Sequence, residues 1–194
     1  MEPLDLLSTA QLTAQLIIDQ VEDHDLSSPC PCEGWDVAIL LDKMVTSGLL
    51  FASLCRGETP DAEINLLFPS RIVGADPSAS FRDSAAACSS AFEESQLEGE
   101  MMGPLGVMVP RKAGLMVRTM DVTINTWDLA QAIEVESGVG TSHAERVLEF
   151  ARGFLPKVRE RTDHVRFAET AEIVSSEDPL ELLILLSGRK LEWR

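Results

Sequence analysis

Arg118, Asp121, Asn125 and Asp128 recur at a spacing that places them on one arc of a helix, at about 100° per residue. Val117, Ile124 and Ala132 share that arc, while Thr119, Thr123, Thr126 and Ala130 lie opposite. An arc shared with apolar residues is expected to face a core, which leaves the threonines facing solvent. Charge carried into a core is costly unless it is paired or binds something. A guanidinium, two carboxylates and an amide so placed can bind a small polar molecule and, with a partner base or acid, move a proton. A site is therefore expected on this helix. Arg118 and Asp128 are its candidate substrate-binding residues, and Asp121 and Asn125 belong to its candidate catalytic group. For Arg118, a salt bridge with Asp121 or Glu134 stands as the alternative.

The elements that must position these residues read as helices. Residues 4–21 are amphipathic at helical spacing, and residues 35–55 are apolar almost all round, as a well-buried helix would be. A third helix starts at Ser78 or Ser80 and runs to about residue 98, with Phe81, Ala85, Cys88 and Phe92 inward. The polar arc belongs to a fourth, over residues 111–133. A shorter fifth helix runs from Thr141 or Ser142 through Ala151, and an apolar one spans residues 179–186. Residues 57–79 form a long connection, residues 99–110 an irregular or hairpin-like crossing, and residues 167–174 a short extended piece. Four long helices with one long crossover predict an all-α, four-helix-bundle architecture in a single domain over residues 1–194.

The 194 residues suffice for one hydrophobic core, and 45% apolar against 25% charged composition is that of an ordinary globular chain. The formal net charge of −16 disfavours phosphate backbones and anionic lipid, so the expected partner is a small molecule, with no nucleic acid and no membrane. Cys30, Cys32, Cys55 and Cys88 are too few and scattered for a secreted disulfide framework, and Cys30-Pro31-Cys32 reads as a structural loop without zinc spacing. The amino terminus has no basic region of a signal peptide. A cytoplasmic monomer or homodimer is expected.

Three segments in order carry a family resemblance. Pro31-Cys32-Glu33-Gly34-Trp35-Asp36-Val37, followed by Leu40-Leu41-Asp42-Lys43-Met44-Val45, resembles the start of the second helix in DinB-like proteins. Residues 121–132 resemble the fourth-helix motif of that superfamily, and Leu185-Leu186-Ser187-Gly188-Arg189 with Trp193 its terminal element. The nearest branch is the metal-binding domain of mycothiol-dependent maleylpyruvate isomerases and their actinobacterial relatives. The resemblance implies a DinB-like bundle with a divalent metal held by a histidine on the second helix and by an acid and a histidine four residues apart on the fourth. Those positions fall here on Lys43, Asp121 and Asn125. An ammonium repels a metal ion and an amide oxygen ligates transition metals poorly, so no metal and no other cofactor are expected.

Lys43 joins Asp121 and Asn125 as the candidate catalytic group, its ammonium standing where the metal would. The pair either orients and protonates a small molecule or only neutralises itself. An isomerase- or cyclase-type enzyme in a bacterial biosynthetic pathway is the leading expectation. A non-catalytic binding protein or pseudoenzyme is the second, and a metal-dependent mycothiol-type isomerase or transferase the third.

Overall fold

The computed structural model describes residues 2–60, 76–104, 106–161 and 176–193. Helix α1 (Pro3–Ile18) starts on a proline whose missing N–H costs nothing in the first turn. Helix α2 (Val37–Arg56) is capped by Asp36, whose Oδ1 accepts from the Ile39 N–H at 2.8 Å. It stops at Gly57, whose φ of 74° is a left-handed conformation that a side chain would strain. Helix α3 (Pro77–Glu94) follows. Asp76 caps it instead of either serine, because the carboxylate sits one residue before Pro77 and accepts from the Ala79 N–H.

The crossing after α3 is a short antiparallel hairpin, β1 (Glu100–Met102) with β2 (Met108–Pro110), in which Met101 pairs with Val109. It leads directly into α4 (Arg111–Ala132). Helices α1, α3, α2 and α4 close a ring in which each packs on its neighbours, and this is the expected bundle. Its interior holds Ala14, Ile17, Leu40, Met44, Phe81 and Leu129 toward one end and Phe51, Cys88, Phe92 and Leu115 toward the other.

Two helices then cover the outside of α4. Helix α5 (Thr141–Arg161) and helix α6 (Pro179–Leu186) pack on each other, and Val147, Ala151, Leu155, Leu183 and Ile184 bury Met120, Ile124 and Trp127. This layer overturns the expectation of a solvated threonine face: Thr119, Thr123 and Thr126 are all buried. They tolerate burial because each hydroxyl donates to the carbonyl four residues earlier, those of Leu115, Thr119 and Val122. Helix α5 also runs a further ten residues past Ala151 and through Pro156, which a sequence rule would treat as a stop. Buried Leu155 and Val158 hold that extension against the fold, outweighing the hydrogen bond that proline removes. The expected extended piece at 167–174 lies outside the described residues, as does most of the 57–79 connection. Helix α2 is long and apolar enough to cross a membrane by composition, but it forms a wall of the bundle and is mostly buried there.

Candidate functional site

The polar arc of α4 faces α2 at one end and the C-terminal segment at the other. The first cluster forms around Asp121. Lys43, projecting from α2, brings Nζ to 2.5 Å from Asp121 Oδ1. Ser47, one turn further along α2, donates its hydroxyl to Oδ2 at 2.8 Å, and Arg118 Nη1 donates to the same oxygen at 2.9 Å. Arg118 is wholly buried and spends its other terminal nitrogen on the Met44 carbonyl, so it straps α4 to α2. The side chains of Lys43 and Asp121 remain 16% and 24% exposed, which leaves the pair within reach of a small molecule.

Burial by itself would raise the Asp121 carboxyl. The charges of Lys43 and Arg118 and the Lys43 and Ser47 hydrogen bonds outweigh it and hold the group down at about 2. Asp121 is thus a fixed anion at neutral pH and a weak proton acceptor. An ammonium has three N–H donors and Asp121 takes one, so Lys43 retains donors for a ligand. Asn125 sits one turn beyond Asp121 on the same face. It is buried, and its amide nitrogen has no partner among the described residues, an arrangement that costs stability unless a ligand completes it.

The second cluster lies two turns along α4, about 10 Å down the axis. Asp128 is buried there and receives Arg189 at 2.8 Å and 3.3 Å, with the Cys32 thiol 3.4 Å from its Oδ2. Its carboxylate is therefore engaged by the C-terminal segment and stands apart from the Lys43 group. A third buried polar contact faces outward, where His143 at the start of α5 meets the Thr123 hydroxyl at 2.9 Å. Burial lowers the His143 imidazole below its usual range.

The sequence pattern thus brings Lys43, Asp121 and Arg118 together and places Asn125 beside them, while Asp128 belongs elsewhere. It missed Ser47, whose signal was its i+4 spacing from Lys43 on α2. It also missed Cys32 and Arg189 as partners of Asp128, which no local pattern could reveal across 96 and 61 residues.

A divalent metal, which the family resemblance implies, does not fit these residues. The one carboxylate already holds an ammonium and a guanidinium, and no group of three or more His, Cys, Asp or Glu side chains suited to a metal occurs among the described residues. Surface depressions of about 400 and 500 Å³ lie around the C-terminal end of α4, lined by residues including Gln131, Val135 and Trp193 in the first and Asp19, His24 and Ile133 in the second. Neither contains Lys43 or Asp121.

No protein-family model matches the chain, and no curated protein does. Among solved structures, two of a mycothiol-dependent maleylpyruvate isomerase, one a point variant, share the fold with a TM-score of 0.59 each. Identity is 17% and 18%, over 77% of this chain and 66% of theirs. The chain spans about two thirds of the length of these neighbours. The likeness establishes the fold alone: an all-α bundle like that of these neighbours.

Proposed function

We propose that this bundle is a metal-free enzyme that binds a small organic molecule against the Lys43–Asp121 pair and performs acid/base chemistry of the isomerase or cyclase type. The observation that carries the reading is a partly buried ion pair, its side chains still in part exposed, on the helix face that also carries an unpartnered amide. Lys43 donates the proton or hydrogen bond, Asp121, itself held by Ser47 and Arg118, aims that ammonium, and Asn125 completes the contact to the ligand. Support at the level of the fold comes from the two isomerase structures. On this reading Lys43 and Asn125 stand where metal-binding relatives carry histidines, and residues 1–194 form one domain in the cytoplasm, as a monomer or homodimer.

A second reading, binding without turnover, is favoured by the same carboxylate: both oxygens of Asp121 are taken up within the protein, and at about 2 it accepts protons poorly. A thermal-shift screen of small organic acids and ketones tests both. A hit that shifts the unfolding temperature of the native protein, is lost in Lys43→Met and is chemically converted establishes the enzyme. A hit recovered unchanged after long incubation establishes the binding protein. Near-stoichiometric zinc, nickel or iron by elemental analysis would overturn both and restore metal-dependent thiol chemistry.

A further inference from the structure

The Cys30-Pro31-Cys32 segment plays no part in the Lys43–Asp121 site. It lies in the turn before α2, where the Cys30 N–H donates to the Trp35 carbonyl and the Trp35 N–H to the Cys32 carbonyl. Cys30 is buried and Cys32 partly exposed. The Cys32 thiol stands 3.1 Å from Arg189 Nη2, and that guanidinium is fixed by two contacts to buried Asp128. A cation so held is placed to stabilise a thiolate.

The two thiols also bear on each other. Cys30 Sγ donates to the Cys32 backbone carbonyl at 3.9 Å. The interaction between the two side chains raises Cys30 and lowers Cys32; burial and Asp128, which accepts from the Cys32 thiol at 3.4 Å, oppose the lowering, and Arg189 adds to it. The remaining cysteines are different. Cys55 and Cys88 are buried between α2 and α3, and burial pushes the Cys88 thiol up to about 11.

We propose that Cys32 is a modification site, the nucleophile of a dithiol pair that reacts with small disulfides, with Cys30 as the resolving thiol. In the first step the Cys32 thiolate attacks one sulfur of a small disulfide RSSR. A Cys32–SR bond forms, the S–S bond breaks, and RS⁻ leaves with the electron pair, taking up from water the proton that Cys32 lost on ionising. In the second, the Cys30 thiol gives its proton to the departing thiolate and attacks the Cys32 sulfur, releasing a second RSH. The protein dithiol is oxidised by two electrons to a Cys30–Cys32 disulfide, and RSSR is reduced to two RSH. This proposal stands independently of the function assigned to Lys43 and Asp121.

Native protein treated with iodoacetamide, followed by peptide mass spectrometry, should show Cys32 alkylated at least ~10-fold faster than Cys55 or Cys88, as expected for an accessible thiolate against buried thiols. The pH midpoint of that rate should lie below that of a free cysteine. With bis(2-hydroxyethyl) disulfide, the wild type should finish as an intramolecular disulfide without adduct, whereas Cys30→Ser, checked for folding by circular dichroism, should keep a stable adduct on Cys32. Arg189→Met should slow alkylation. Should that variant not fold, the pH midpoint of the wild type decides the point by itself. Even labelling of the four cysteines, a midpoint like that of free cysteine, or a lasting adduct on the wild type would overturn the proposal.

Discussion

At Asp121, three donors converge on one carboxylate, and their unequal burial makes the site asymmetric. Lys43→Met leaves Asp121 with Arg118 and Ser47, so the expected loss is about the 1.5–3 kcal/mol of one charged hydrogen bond. Asp121→Leu strands a fully buried guanidinium as well as the ammonium, and should cost ~3–5 kcal/mol. In the double variant the loss should be well short of the sum. Urea unfolding of the three variants measures this, and additivity within ~0.5 kcal/mol would mean that the two side chains do not interact. Acid should act in two stages. The folded protein disfavours protonated His143, so its contribution is complete above about 6.5 and declines as pH falls below that value. Asp121 is held at about 2 against 3.8 in the unfolded chain, so its contribution is complete above about 4 and is lost as pH falls toward 2. His143→Gln should flatten the pH dependence of stability just below about 6.5 and leave the acid limb in place; an unchanged profile would exclude His143 as its source. The pair and Arg118 were legible in the sequence because charge on an apolar helical arc is unusual. Asp128 looked equivalent by the same criterion, since periodicity fixes direction around a helix but not which neighbour arrives there.

Among the elements, α2 and α3 make a close crossing. A β-carbon built at Gly48 would lie 3.1 Å from the Ser84 carbonyl oxygen, a backbone atom that cannot swing away. Gly48→Val should therefore push the helices apart and cost ~1–3 kcal/mol. Gly48→Ala should come out near neutral, because a helix-propensity gain of about 1 kcal/mol offsets the milder crowding. Thermal unfolding of both variants checks this, and a stable valine variant would show that the crossing has slack. Sequence alone placed α1, α2, α3, α4 and α6 to within a few residues, since each has apolar periodicity and a breaker at its ends. It failed on α5, where Pro156 concealed ten residues of helix, and on the threonine face of α4. A threonine arc looks solvated until a second layer is known to cover it, and hydroxyls bonded to their own helix carry no mark in the sequence.

The whole molecule carries a formal charge of −16, and folding gathers that charge into a smaller volume. Added salt should therefore raise the unfolding temperature, most steeply up to ~0.1 M, where the screening length has fallen to about 10 Å. A temperature that falls with sodium chloride would mean that attractive pairs outweigh the general repulsion. The fold class was legible at this scale from the number and length of the helices, while the packing of α5 and α6 over α4 was not, because it rests on contacts between distant segments. The bridge between Asp128 and Arg189 is one such contact, and its partners are separated by 61 residues. On a ribosome adding about 5–20 residues per second, Arg189 follows Asp128 by roughly 3–12 s. During that interval α1 to α4 have been made, yet one carboxylate destined for the interior has no cation. The nascent bundle must keep Asp128 wet, and that carboxylate can become dry only when the closing arginine has been translated.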